Sequence, residues 1–446
     1  MLPVVLTLTL LALVTALLLE NSGTGGSVTA AQQQSDALAY AAAAGFEHAR
    51  TLLETSGCLG AAALPATRLG RYSYSAVMPG SGTTRPAQTY TLTAVADAWI
   101  DEADKDRNHG NDPVLKNKRG DGEDRQSLMR FDLSSVPVDL DVASATLWLY
   151  VKSKDDSDLA VEVYRITDNW TESSVDWDDF NAHYDRNLVH ASFIPNADGF
   201  LSFELTPLAR QWVSGKIPNH GIVLRSRSYK KESQFASRED ADPARRPRLD
   251  IVSRPNAFYD VAAAARDPAG IERTLSRTIE GPASSTLFLD YFDAGPAGND
   301  GTRNFTSDWR EVGENNGLET GAVRIALAGG NCAYANCLAI DAGLLSSAGV
   351  WRQVGLAGAD RAFLRLHRRR QGGNYKLEIS GNGGASWQTL QSLGSAFDAD
   401  QVREVYDISA FAAADTRIRI TTSSLLGLGS KDLYIDDIEV EATCGP

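Results

Sequence analysis

The residues best suited to chemistry in this chain of 446 residues are oxygen donors and cations carried by loops and strand ends. Asp104, Asp106, Asn108 and Asp112 stand at every second or fourth position of DKDRNHGNDP. Carboxylate and amide oxygens are the ligand type calcium takes. The spacing D-x-D-x-N is that of an EF-hand start with its glycine, Gly110, one residue late. A run of Asx turns that satisfy themselves is the competing reading. Arg225, Arg227, Lys230 and Lys231 cluster on one expected strand and its turn, with Tyr229 among them. Lys116, Lys118 and Arg119 form a second cationic group. Such groups can hold carboxylates, and ordinary charged sheet surface has the same composition. Glu172, Asp176, Asp178 and Asp179 contain the pair of acids that glycoside hydrolysis needs, although solvated acids at a turn need no special role. No nucleophile elbow, P-loop or metalloprotease helix is present, and the six histidines show no ligand spacing. No residue is assigned a catalytic role.

The elements that must position these residues come next. The length suggests two to four domains, and 43% apolar content gives each a core. With 57 acidic against 43 basic residues, the chain has no general electrostatic drive toward nucleic acid. LPVVLTLTLLALVTALLL, from Leu2, is about as long as a membrane-spanning helix. After a polar break, Val28, Ala31, Ser35, Leu38, Ala42, Gly45, Ala49 and Leu52 recur at helical spacing and make one narrow face. Its small residues suit close packing, as in a membrane stop or a filament core. From Tyr90 to Val252 the chain reads as short strands between turns, which predicts a β-sandwich. Four cysteines allow 3 connectivities. Cys332 and Cys337 are close enough for a loop staple, and Cys58 with Cys444 would then tie the helix end to the last strand. Four unpaired thiols are the alternative.

Three resemblances organise the chain further. The apolar run followed by AQQQSDALAYAAAAGFEHARTLL resembles the start of PilX-like minor pilins and related type IV pilus assembly proteins. Tyr40 to Ala49 matches the family motif, with Ala44 where an acid usually stands and Val5 where major pilins keep a glutamate. Residues 88–253 are similar throughout to the DNRLRE-domain, a carbohydrate-binding-module-like jelly roll. The similarity is carried by ADAWIDEADKDRNHGNDPVL, LMRFDLSSVP, SATLWLYV, VYRITDNWTESSVDW, TPLARQWVSGKIPNHGIVL and QFASREDADPARRPRLDIV. From 285 to 446, LFLDYFDAG, NYKLEISGNGGASWQTL and YIDDI resemble lectin-like jelly rolls.

These resemblances imply a mainly β, multidomain protein, α+β overall. A long N-terminal helix and a small pilin-like sheet occupy 1–85 and are completed by 254–283. A DNRLRE-like sandwich at 88–253 and a lectin-like jelly roll at 285–446 follow. They imply polysaccharide binding through the two cationic groups and, in the last domain, structural Ca2+ held where Asp290 or Asp293 faces Asp436 or Asp437. They place Trp148, Trp170, Trp177 and Trp212 in core motifs, and make Glu172 part of a structural turn. The implied partners are other pilin subunits through the helix, a polysaccharide or cell-surface glycan, and the inner membrane before assembly. The expected role is a non-catalytic minor pilin or adhesin at the bacterial surface. A membrane-anchored polysaccharide-binding protein outside any pilus is the alternative.

Overall fold

The computed structural model describes residues 27–55, 63–138, 140–155, 160–195, 199–282, 285–292, 295–301, 303–326, 331–334, 336–341, 348–423 and 432–444. The apolar run from Leu2, Cys58 and Asp293 lie outside them, and with them the expectations placed there. Among the described residues, no helix is long and apolar enough to cross a membrane.

The described chain begins with α1 (Ser27–Thr55), β1 (Ala63–Leu69), β2 (Tyr72–Val77) and β3 (Gly80–Arg85). There follow β4 (Thr89–Asp101), β5 (Val114–Lys118), β6 (Arg125–Phe131), β7 (Val142–Lys154), β8 (Val161–Arg165), α2 (Trp177–Phe180), β9 (Ala191–Phe193) and β10 (Gly199–Glu204). Then come α3 (Thr206–Val213), β11 (Ile222–Ser226), β12 (Glu232–Ala236), β13 (Arg248–Ser253), β14 (Asn256–Arg266) and β15 (Glu272–Pro282). The last part holds β16 (Ser285–Asp290), β17 (Arg310–Val312), β18 (Val323–Ala326), β19 (Cys337–Asp341), β20 (Gly349–Val354) and β21 (Ala359–Arg370). It ends with β22 (Asn374–Ser380), β23 (Gln388–Leu393), β24 (Val402–Asp407), β25 (Thr416–Ser423) and β26 (Asp432–Cys444). The protein is mainly β.

β14 pairs with β2 and β3, and β15 with β14, all antiparallel, so one sheet is assembled from both flanks of residues 88–253. Along β14 the side chains alternate, and Val261, Ala263 and Ala265 are buried beneath α1. The helix lays Leu38, Ala42, Phe46, Ala49 and Leu53 onto them. A methyl group at Gly45 would come 3.0 Å from Tyr74 Cδ2. The small-residue face that suits a filament core is therefore largely occupied by the chain's own sheet. Small side chains on both partners are what let helix and strand approach this closely.

Residues 88–253 form a sandwich around one core that includes Met129, Phe131, Leu147, Leu149, Val163, Leu224, Phe235 and Leu249. The register of β4 shifts between Ala94 and Ala96. Its first half pairs with β13 and its second with β6, so one strand serves both sheets. The sheet holding β6, β11 and β8 is covered on its outer face by the 166–190 segment. There Trp170, Val175, Trp177, Phe180 and Tyr184 pack on Ala98, Ile100, Leu128 and Val223.

The C-terminal unit is a second sandwich. A six-stranded sheet, β18-β19-β26-β21-β24 with β16 on β26, faces the five-stranded β17-β20-β25-β22-β23. Cys332 and Cys337 are disulfide-bonded. Cys444 is also in a disulfide, while its expected partner Cys58 lies outside the described residues. The two sandwiches meet through buried charge. Arg210 of α3 pairs with Glu439 at 2.7 Å, Gln211 Nε2 donates to Asp437 at 3.0 Å, and Arg254 reaches Glu441 at 2.8 Å.

Candidate functional site

The structure brings the two expected cationic groups together. β5 and β12 pair, Arg119 forms an isolated bridge with Tyr229, and Arg119 Nη1 donates to the Arg227 carbonyl at 3.1 Å. It also threads acids between them. Arg227 pairs with Glu162 at 3.1 Å, Arg225 with Asp124 at 3.6 Å, and Lys118 with Glu123 at 2.5 Å. Tyr229 donates its hydroxyl to Asp121 at 2.7 Å, and Lys230 stands over its ring. Lys116 sits over Trp99, and Lys231 also has a partner. The patch is charge-compensated rather than a concentrated cationic surface.

The expected calcium loop does not converge. Asn108 turns its amide to the carbonyls of Glu172 and Val175, at 2.7 and 2.8 Å. Asp112 accepts from Trp99 Nε1 at 2.9 Å and contacts His109 Nδ1 at 3.0 Å, while Asp104 faces Arg107 at 3.7 Å. Asp106 joins no group of ligand atoms among the described residues.

The carboxylates expected to share calcium in the last domain are likewise apart in function. Asp290 is fully buried against Arg352 and accepts from Trp309 Nε1 and the Phe292 amide, both at 2.7 Å. Asp436 accepts from the amides of Ala333 and Tyr334, each at 3.0 Å. Asp437 meets Gln211 and, at 3.1 Å, His367. Burial pushes Asp436 and Asp437 well above the usual carboxylate range and His367 down to about 4. Protein groups meet each of these acids: the Arg352 guanidinium, the Trp309 indole and the Phe292 amide at Asp290, backbone amides at Asp436, and the Gln211 side chain with His367 at Asp437.

Three other carboxylates do converge. Ligand atoms of Asp97, Glu172 and Glu239 lie within 4.8 Å of one another. Asp97 stands on β4 and is almost completely buried. Its amide donates to Glu172 Oε1 at 2.7 Å, and its Oδ2 accepts from the Arg238 amide at 2.7 Å. Arg238 Nη1 reaches Glu172 at 2.6 Å and Glu239 at 3.2 Å. Glu239 Oε2 is buried without a donor among the described residues. Burial pushes Asp97 up to about 8, against the Arg238 amide and with the added repulsion of Glu239 and Glu172. The Arg238 guanidinium reaches two of the three carboxylates and its backbone amide the third, a set of hard oxygens that could hold calcium or magnesium. Gly110 secures the Glu172 loop, since a Cβ there would lie 2.2 Å from the Glu172 carbonyl oxygen. In the sequence the signal was an acid, Asp97, inside the apolar stretch AVADAWI of β4. Asp176, by contrast, caps α2 by accepting from the Asp179 amide.

The sandwich also presents an aromatic face. On β7, Leu147 and Leu149 enter the core while Trp148 and Tyr150 point outward. Phe200 of β10 stands opposite Tyr150, with ring centroids 5.1 Å apart and 82° between planes. Phe200 is 57% exposed. Arg248 lies over Trp148 at 5.2 Å and Arg245 over Tyr150 at 4.6 Å. Trp170, Trp177 and Trp212 are buried, whereas Trp148, assigned with them to the core, is half-buried on this face.

Residues 88–253 match the family model of carbohydrate-binding module family 96. No curated protein matches the chain. Among solved structures, one match is TmCBM61 in complex with β-1,4-galactotriose, at 14% identity and a TM-score of 0.25. It covers 33% of this chain and 92% of that one. A second is a point mutant of CBM29-2 complexed with mannohexaose, at 12% identity and a TM-score of 0.24, covering 36% of this chain and 92% of that one. A third is the K1 cleaved adhesin domain of Lys-gingipain from Porphyromonas gingivalis. It has 12% identity and a TM-score of 0.24, covering 36% of this chain and 99% of that one. Residues 88–253 are a carbohydrate-binding-module-like domain.

Proposed function

We propose that this protein is a non-catalytic attachment protein that binds polysaccharide through residues 88–253 and displays them at the bacterial surface. The family-model match over that whole sandwich carries the reading. Two of the acids weighed for hydrolysis have structural partners: Asp176 caps α2, and Glu172 accepts from the Asp97 amide and the Arg238 guanidinium. The N-terminal part supports a tether: α1 packs on an antiparallel sheet and follows the apolar run from Leu2. Display on a type IV pilus as a minor pilin or adhesin is the form we favour, with membrane anchoring outside a pilus as its competitor. Immunoblots of sheared pili and inner-membrane fractions separate the two. Presence in pili supports display there, and exclusive recovery in the inner membrane rules it out. Binding itself is tested by affinity electrophoresis of the full chain through gels containing soluble polysaccharides.

A further inference from the structure

The outer face of β17, β20, β25, β22 and β23 in the C-terminal sandwich carries more cations than acids, in a protein whose net charge is -14. Side chains alternate along each strand, so the residues that do not enter the core share one face. A row crosses all five strands: Arg310 stands opposite Trp351, Trp351 opposite Arg419, Arg419 opposite Glu378, and Glu378 opposite Thr389. One step along on either side, Arg417 faces Gln353 and Lys376 faces Thr421. With strands about 4.8 Å apart and same-face residues about 6.8 Å apart, neighbouring cations are spaced about 7–10 Å.

The rings on this face hold guanidiniums. Arg417 lies 4.1 Å and Arg310 5.7 Å from the Trp351 ring centroid, and Arg419 lies 3.8 Å from that of Trp387. Trp387 returns from the Gly383–Gly384 turn, where a Cβ at Gly384 would come 2.9 Å from Arg417 Nη1 and 3.3 Å from Trp387 Cζ2. Arg417 Nε donates to Gln353 Oε1 at 3.0 Å, and Arg419 pairs with Glu378 at 2.9 Å. Among the described residues, Arg310, Lys376 and Arg417 have no ion pair. Glu378 on the face and Asp415, beside the Gly383 turn, are the acids next to these cations.

That arrangement selects the ligand. A guanidinium fork matches carboxylate or phosphate oxygens, and stacking on a ring fixes the direction of its N–H groups. Nucleic acid would need free rings for its bases and more phosphate contacts than this face supplies. An anionic membrane would need apolar side chains to insert beside the cations, and the exposed positions of β23 hold Gln388, Thr389 and Ser392 instead. Gln353, Thr389 and Thr421 place amide and hydroxyl groups between the cations of an open sheet. Such a surface fits an extended chain whose units carry both carboxylates and hydroxyls.

We propose that this face binds a polyuronate, a polysaccharide bearing carboxylates, through Arg310, Arg417 and Lys376, with Trp351 holding the two guanidiniums in place. It is a second site, in a unit outside the 88–253 match, and does not depend on carbohydrate binding there.

The test runs the full chain in native gels containing alginate, galactan or no polysaccharide, at low and at raised salt. Alginate should retard the wild-type protein, and salt should weaken the effect. Arg310→Gln with Arg417→Gln should lower the alginate affinity about five- to tenfold and leave mobility in galactan as in wild type. Arg225→Ala with Arg227→Ala, in the charge-compensated cluster of the other sandwich, should leave the alginate affinity unchanged. Circular dichroism and the melting temperature check folding. Should the first variant fail to fold, Arg310→Glu with Lys376→Glu replaces it. Full alginate affinity in a folded variant of the C-terminal face overturns the site, as does loss of alginate binding in the Arg225 and Arg227 variant alone. Unchanged wild-type mobility in alginate also overturns it, and retardation by galactan in the same gels then leaves the 88–253 reading standing. Tighter binding of a DNA duplex than of alginate at the same salt overturns the polyuronate.

Discussion

Asp290 or Asp293 was expected to share calcium with Asp436 or Asp437, and the structure surrounds Asp290 with protein donors, so replacing Asp290 distinguishes the two roles. Asp290 and Arg352 are both fully buried and paired. Arg352 also donates to the Ser307 carbonyl at 2.9 Å and Asn299 Oδ1 at 3.2 Å, and its guanidinium lies 4.0 Å from the Phe305 ring centroid. Asp290→Ala leaves that guanidinium buried without its counter-charge, which costs about 3–5 kcal/mol. In a unit of this size each kcal/mol moves the melting temperature by about 2–4 °C, so the C-terminal transition should fall by roughly 6–20 °C. Burial pushes Asp290 up to about 6 even beside the guanidinium, so the pair returns less than its desolvation costs. The double variant Asp290→Ala, Arg352→Met should therefore recover most of the loss. Differential scanning calorimetry of the full chain, with calcium and with chelator, measures all of this. A single variant that melts like wild type would refute the reasoning. So would a wild-type C-terminal transition that rises with calcium only while Asp290 is present.

The carboxylate cluster gives a second expectation. Saturating a chelator-treated protein with calcium should raise the melting temperature of the 88–253 domain, by the equivalent of about 2.7 kcal/mol at a hundredfold excess over Kd. Glu239→Gln should remove the response, and an unchanged response in that variant would assign calcium elsewhere. Gly110→Ala forces the Glu172 loop away and should cost about 1–3 kcal/mol, read as a lower urea midpoint. His367 gives the pH dependence. Its folded-state value near 4 lies below the ordinary 6.5, so the unfolded chain holds the proton in between and the native chain does not. Its stability contribution is complete above about pH 6.5 and is lost toward pH 4 at about 1.4 kcal/mol per unit. His367→Gln should flatten this part of the profile in melts across that range, and an identical slope in the variant would exclude His367 as its source.

The mainly β architecture was legible because short strands and their turns are local signals. Alternation in SATLWLYV also contained the aromatic face: with Leu147 and Leu149 inward, Trp148 and Tyr150 had to point out. Treating all four tryptophans as core hid this: Trp170 and Trp177 are buried from the 166–190 segment packed on the sheet and Trp212 from α3, placements that only the fold supplies. The Asp97, Glu172 and Glu239 cluster was not legible, since 75 and 67 residues separate successive members and no spacing rule spans a sandwich. The cationic groups were visible as residues, but the acids opposite them come from other strands, Glu162 from β8 and Asp124 from the turn before β6. Likewise the small-residue stripe of α1 was visible, while its partner strand β14 lies some two hundred residues further on.

Carbohydrate binding by residues 88–253 is the central claim, and retention of the full chain in polysaccharide-containing native gels tests it most directly. The account predicts retardation relative to a polysaccharide-free gel on at least one soluble glycan, competed by the same glycan in solution. Unchanged mobility across neutral and acidic polysaccharides, for a protein shown by calorimetry to be folded, would contradict it.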